Sequence, residues 1–404
     1  MAEKEALVTG ALGHAGSFMV DLLVKEGWKV VATDLPATQR KMLMTKEKIY
    51  LNDVYNKSLG EKDVTFIGAD LTDKESLKSL FENQEYDVIF HTASLYDYFA
   101  SYDLLEKVNV GGLKNFLEVY WEFNKNAKEM PRLLHWSTCG VYGQPKYERW
   151  DIPADETAPF NPPNDYSRSK VGQEKLLREW KAEKNIPISI LRSAPIYGPY
   201  QSYGIFLILF MLRKAGLCPI AHVYPRKKRL RMPLIHVEDL VGAALCIAEA
   251  PKDKVVGEAF NIIADCGYQD NFEEYISKLL HVDYASIPIP WFLFKFLFRT
   301  SFRLAGALTK YLKKKGIRGK IDPPMADYTI HQYFFSNKKL KDLGFEFKYP
   351  DMYSGLKMTI DWYEEHGWLD KEEWELEENM EFGIGSGESV DKDKNPERFK
   401  QEVL

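Results

Sequence analysis

Tyr166 and Lys170 stand four residues apart in "NDYSRSKVGQEKLLREW", so a phenol and an ammonium share one face at the mouth of an amphipathic segment. A free tyrosine, with a pKa of roughly 10, is a poor base at neutral pH. A neighbouring cation favours the phenolate, which makes the two residues a candidate proton-transfer pair. The bland alternative is a solvated lysine beside a packed tyrosine. Just upstream, "STCGVYG" offers two hydroxyls, Ser137 and Thr138, either of which can hydrogen-bond a substrate oxygen. At the start of the chain, "LVTGALGHAG" sets Gly10, Gly13 and Gly16 between a strand-like run and a helical one. Glycines there permit a tight turn, close approach of backbone to a pyrophosphate and close helix packing. The helix amino terminus then offers unpaired N–H groups to the anion. The spacing is GxxGxxG, which alone is a weak signal. Asp34 strengthens it by ending the next apolar run, where a carboxylate can accept both hydroxyls of an adenosine ribose. That carboxylate would repel an extra phosphate, so NAD is expected ahead of NADP. Arg40 and Lys41 follow closely and keep NADP in view.

Such groups need a rigid frame, and the first half of the chain supplies one. Short apolar runs at Ala6–Thr9, Lys29–Thr33, Val64–Gly68, Val88–Thr92, Leu133–Ser137 and Ile188–Arg192 read as strands. They alternate with helical patterns over Ser17–Lys25, Lys74–Asn83, Leu104–Asn124 and Ser167–Lys184. The alternation predicts an α/β protein, a Rossmann-type doubly wound parallel sheet. A helix and loop are expected over Pro36–Lys62. Residues 1–198, with returning segments near 232–263, are expected to form the NAD-binding domain. Residues 199–231 and 264–369 are expected to form a smaller, more helical C-terminal substrate lobe. The acidic tail 370–404 is expected to be disordered.

Composition narrows the class. At 404 residues and 45% hydrophobic content the chain can bury a sizeable core, and a net charge of -5 gives no global pull toward nucleic acid. The start lacks the apolar core and cleavage site of a signal peptide. Cys139, Cys218, Cys246 and Cys266 lie far apart, with no metal-ligand spacing, and read as reduced thiols of a cytoplasmic protein without a metal.

Taken together, these motifs resemble the extended short-chain dehydrogenases/reductases: the nucleotide-sugar epimerases and dehydratases, and the 3β-hydroxysteroid dehydrogenase-like branch. The resemblance runs from about Ala6 to Trp368. "TGALGHAG" looks like the family's glycine loop, which implies cofactor contacts from His14 and Ala15 as well as the glycines. "GADLTD" carries Asp70 and Leu71 where the family holds the adenine. "IFHTAS" puts Ala93, and "LRSAPIYGP" puts Pro195, beside the cofactor. "VNVGGLKN" supplies Asn109, which in the family supports the active site. The resemblance implies Tyr166 as acid/base, Lys170 as the group that lowers its pKa and grips the ribose, and Thr138 with Ser137 beside it as the substrate hydroxyls. In sugar 4,6-dehydratases the equivalent of "STCGVYG" reads S-T-D-E-V-Y-G. Cys139 and Gly140 replace the two acids here, which argues against water elimination. Pro195 stands where nucleotide-sugar enzymes often carry an asparagine. Arg231 lies one residue early within "YPRKKRLRMP", a basic cluster that suits either a phosphate or an ordinary solvated edge.

The leading expectation is therefore hydride transfer between nicotinamide and a secondary alcohol or ketone of a hydrophobic, sterol- or lipid-like small molecule. A nucleotide-sugar epimerase and a non-catalytic NAD-binding scaffold or sensor are the alternatives. Part of the case for a lipid is the segment 286–320, aromatic and basic, which suits a helix lying on a membrane surface, a buried lobe helix or a greasy lid. The apolar Tyr203–Leu217 reads as a second lobe helix. In the closing segment Leu356, Ile360 and Tyr363 share one helical face. A homodimer through Leu104–Asn124 and Ser167–Lys184 is a further expectation from the family.

Overall fold

The computed structural model describes residues 4–36, 64–98, 100–145, 151–201, 203–314 and 331–370. The expected insertion over 37–62 and the tail beyond 370 lie outside the described residues. Six strands, β1 (Glu5–Thr9), β2 (Lys29–Thr33), β3 (Val64–Phe66), β4 (Val88–His91), β5 (Arg132–Thr138) and β6 (Ile188–Ser193), join a seventh, Ala259–Ile262, in one sheet. Its order is Ala259–Ile262, β6, β5, β4, β1, β2, β3, and every pairing is parallel. The strands read as continuous apolar runs because helices cover both faces. On one face α1 (His14–Lys25) and the Val237–Glu249 helix pack with Val8, Phe90 and Leu191. On the other, the helices Gly112–Asn124 and Asp165–Lys184 pack with Leu7, Ile89 and Leu133.

From β1 the chain winds outward through β2 to β3, then returns to lay β4 on the opposite flank of β1. That reversal opens a crevice at the carboxyl ends of β1 and β4, the place where such sheets bind ligands. The expected helix at Lys74–Asn83 is shorter, Lys74–Lys78, and ends in turns. The single helix expected over Leu104–Asn124 is a composite: Tyr102–Leu105, a π-helical turn at Glu106–Gly111, then Gly112–Asn124.

The lobe has its own core of Phe206, Leu209, Phe272, Ile276, Leu356, Ile360 and Tyr363, from the helices Ile205–Ala215, Gln269–Leu279 and Leu356–Glu365. Beside it the strands Leu217–Tyr224 and Asp283–Pro290 pair in parallel and lead into a helix over Trp291–Lys314. That helix is neither fully buried nor fully free. Phe294 sits against Val223 and Ile289, whereas Phe292 and Phe296 are exposed.

Candidate active site

The glycine loop closes the end of β1. Gly10 has a φ of +67°, and a Cβ there would lie 2.8 Å from the backbone nitrogen of Ala93. A Cβ on Gly16 would lie 2.0 Å from the Gly10 carbonyl oxygen, so the helix can start this close to the turn only with glycine. Gly13 is the N-cap of α1 and its helix has no side-chain cap. The first turn of α1 therefore receives no cap from its N-cap side chain, an arrangement that suits a pyrophosphate. At the end of β2, Asp34 accepts from the backbone N–H groups of Leu12 (2.9 Å) and Leu35 (2.7 Å), tying the loop to the next strand. Burial pushes its carboxyl up to about 6, against the pull of those two N–H groups.

The remaining expected contacts divide. Ala93 backs Gly10, its N–H reaching Thr9 Oγ1 at 3.3 Å. Asp70 accepts from the N–H and hydroxyl of Thr72, both at 2.8 Å, and so shapes the turn after β3, with Leu71 against Gly112. Pro195 follows β6 and its carbonyl accepts from Ile235 N–H at 3.1 Å. The His14 ring turns away from the loop: its Nε2 donates to the Pro199 carbonyl at 2.9 Å, and burial lowers its pKa to about 4. Asn109, fully buried in the π-helical turn, accepts from Leu95 N–H (2.7 Å) and donates to Leu95 O (3.1 Å) and Ser169 Oγ (2.9 Å). It clamps the segment after β4 to the helix that carries Tyr166.

That helix begins at Asn164, whose side chain caps Ser167 N–H at 2.8 Å, with Asp165 in the first turn and Lys181 and Lys184 in the last. Asn185, left-handed at φ 54°, ends it. Tyr166 lies in its first turn, enclosed edge-on by Tyr96 (ring centroids 5.0 Å) and Tyr98 (5.5 Å). Tyr96 continues to Tyr203 at 5.4 Å, and Tyr203 to His14 at 6.2 Å, so aromatic rings link the phenol to the first turn of α1. One turn on, Lys170 is buried, its Nζ 5.9 Å from the Tyr166 ring centroid and donating to Trp136 O at 2.8 Å.

Electrostatics here correct one expectation. Without cofactor, burial, reinforced by Tyr98 and Tyr203, outweighs Lys170 and holds the Tyr166 phenol well above its ordinary value. The same burial drags Lys170 down to about 7, with Glu174 pulling it back up. Nearby, His91 and His135 stack at 5.4 Å across β4 and β5, and burial together with Lys170 keeps both imidazoles neutral. At rest the pair is therefore a neutral phenol and a lysine poised between charged and uncharged.

The two hydroxyls also separate. Ser137 donates to Glu174 Oε1 at 2.6 Å, so its proton is already engaged. Thr138 Oγ1 accepts from Gly140 N–H at 3.1 Å, which leaves its own proton to donate. Sequence reasoning missed what lies behind Ser137. Glu174 and Arg192, both buried, pair through Nε–Oε1 at 3.0 Å and Nη2–Oε2 at 2.7 Å. Arg192 also donates to Tyr142 Oη at 2.6 Å and Glu156 O at 3.0 Å, and Tyr142 donates to Asn261 at 2.7 Å. Burial alone would lower Arg192, but its bonds to Glu174 outweigh it and hold the guanidinium above its usual value. An arginine inside the apolar run "ISILRS" was the available signal, since a buried charge needs a partner. The basic cluster 226–231 is partly spent within the lobe: Arg229 pairs with Asp270, and Arg231 lies between the rings of Tyr268 and Phe334. Among the described residues no group of three or more His, Cys, Asp or Glu is gathered as a metal site.

The parallel sheet with its switch-point crevice and uncapped glycine turn defines an NAD-dependent enzyme of the extended short-chain dehydrogenase/reductase class. Residues 6–262 match the NAD dependent epimerase/dehydratase family, and the chain belongs to that family. Human dTDP-D-glucose 4,6-dehydratase is 25% identical over 382 residues, covering 91% of this chain and 93% of that protein. Short-chain dehydrogenase/reductase family 42E member 1 of Macaca fascicularis is 24% identical over 396 residues, covering 91% and 89%. The UDP-glucose 4-epimerase of Thermotoga maritima, solved with UDP-glucose, superposes with a TM-score of 0.63 at 20% identity, covering 90% of this chain and 99% of that one. That of Thermus thermophilus, solved with NAD, gives 0.62 at 20% identity, covering 89% and 99%.

Proposed function

We propose that the protein is an NAD-dependent nucleotide-sugar enzyme that works by transient oxidation of a secondary alcohol, in the manner of an epimerase. The observation that carries this is Tyr166 with Lys170 one turn behind it on a helix that packs against β5, the strand ending in Thr138, whose Oγ1 accepts from Gly140 N–H and keeps its own proton to donate. The relatives named for dTDP-glucose and UDP-glucose support a sugar nucleotide, which takes precedence over the sterol-like substrate expected from composition. Gly10, Gly13 and Gly16 with Asp34 would hold NAD, whose oxidised nicotinamide accepts a hydride. Thr138 donates to the substrate oxygen and fixes its direction. Tyr166, once it has released its own proton to solvent and stands as the phenolate, takes up the alcohol proton on oxidation and returns it on reduction. Lys170 supplies the cation that makes the phenolate reachable once it is protonated. Cys139 is buried and Gly140 has no side chain, so neither can protonate a departing hydroxyl. This separates the site from a dehydratase.

A second reading, a hydrophobic alcohol or ketone, is favoured by the rings of Tyr96, Tyr98 and Tyr203 around Tyr166 and by Pro195 standing where nucleotide-sugar enzymes often carry an asparagine. The two are separated by incubating the protein as purified with UDP- and dTDP-hexoses without added NAD. Interconversion of epimers supports the first reading. Failure there, with stoichiometric NADH formed from a hydrophobic secondary alcohol, would establish the second.

A further inference from the structure

Among the described residues, the Trp291–Lys314 helix is covered along one side. Trp291, Phe294 and Phe298 pack on the strands Leu217–Tyr224 and Asp283–Pro290 through Ala221, Val223 and Ile289. Among its other described side chains, Phe292 is 75% exposed, Phe296 65% and Leu304 67%. Leu293, Leu297, Leu304 and Tyr311, all exposed, follow at steps of four, seven and seven, which on an α-helix is one stripe. Lys295, Arg299 and Arg303, also exposed, follow at steps of four and make a second stripe beside it. Between residues 284 and 321 the sequence holds nine lysines and arginines and not one aspartate or glutamate, in a chain whose net charge is -5. Among the described residues no helix is long and apolar enough to cross a membrane.

We propose that this helix seats the protein on an anionic lipid surface, its axis in the plane of the interface. Leu293, Leu297, Leu304 and Tyr311 enter the acyl boundary, while Lys295, Arg299 and Arg303 meet the headgroups, with Phe292 and Phe296, seven residues before Arg299 and Arg303, lying among those cations at the interface. A stripe of greasy side chains flanked by cations alone is the arrangement such a surface selects. A second copy fits poorly, because a two-fold contact through this face would set cation against cation. The proposal is independent of the substrate reading, since it uses no residue of the crevice.

Flotation of the full chain with vesicles tests it. With phosphatidylcholine containing roughly 30% phosphatidylserine the protein floats; on pure phosphatidylcholine binding falls at least about tenfold, and at about 0.5 M salt it weakens again. Replacing Lys295, Arg299 and Arg303 together by Gln lowers affinity on the order of a hundredfold, since each cation near such a leaflet contributes about fivefold. Replacing Phe292, Phe296 and Leu304 together by Ser abolishes flotation while thermal melting stays unchanged, because these side chains are already in water. The proposal is overturned if wild-type protein stays with the soluble fraction, or if it floats and both triple variants float equally well. It is also overturned if the Ser variant shifts the sedimentation mass of the protein alone, which would assign the face to another polypeptide.

Discussion

One helix carries two buried ionisable groups a single turn apart, treated in opposite ways. Glu174 meets Arg192 through two hydrogen bonds and accepts a third from Ser137. Lys170 has one backbone carbonyl, neutral imidazoles in its neighbourhood and, among the described residues, no carboxylate within ion-pair reach. A fully satisfied pair is fixed in charge and position. A poorly compensated cation sits near its titration point and can change state with little input. The contrast separates scaffold from chemistry within five residues of sequence, and it can be broken at either end.

The largest effect is expected at the chemical end. Tyr166→Phe should lower turnover about 10³-fold, within the range of a lost general acid/base, while cofactor affinity measured by fluorescence titration stays within a factor of about three. Retained turnover would remove Tyr166 from the reaction. Next is the scaffold end: Glu174→Ala leaves the Arg192 guanidinium buried and unpaired and should cost about 3–5 kcal/mol in urea unfolding. A loss under about 1 kcal/mol would mean that the network relaxes and the contrast fails.

Lys170→Met should do the reverse, stabilising the fold by about 1–3 kcal/mol at pH 7 while depressing turnover. The sign follows from a folded pKa near 7 against 10.5 in the unfolded chain: between those values the unfolded state binds more protons. Wild-type stability therefore rises with pH across that window, and the Met variant lacks the rise. Parallel slopes for the two proteins from pH 7 to 9 would contradict it. Smallest is Asp34→Asn, expected to weaken NAD about tenfold and narrow its advantage over NADP. Burial raises this carboxyl from 3.8 to about 6, so the native state binds more protons between those values and wild-type stability falls as pH climbs through them; the Asn variant is flat there.

Much of this was legible in the sequence. Most of the leading strands announce themselves because they are apolar runs buried on both faces, the half-exposed edge strand β3 being the exception, and the glycine turn because its spacing has a steric cause. Tyr166 and Lys170 follow from four-residue spacing on a helix. What could not be read is anything set by burial. The pattern Y-x-x-x-K suggests a depressed phenol pKa, but rings from residues 96, 98 and 203 enclose it, and desolvation wins. Ser137 and Thr138 are neighbours in sequence, yet a strand points them to opposite faces, and Ser137 spends its proton on Glu174. Arg192 stood in plain view, but its partner lies 18 residues away on a helix.

The wide turn at Glu106–Gly111 has a consequence for anyone aligning this chain with relatives. One residue more than a regular turn contains swings everything that follows by about 100°. In a homologue with an uninterrupted helix, the counterparts of Asn109 and of Gly112, which abuts Leu71, could match this chain only if a gap were opened between them. An ungapped comparison would then pair one of them with the wrong residue, and a bulge kept for its geometry would be mistaken for a drifted sequence.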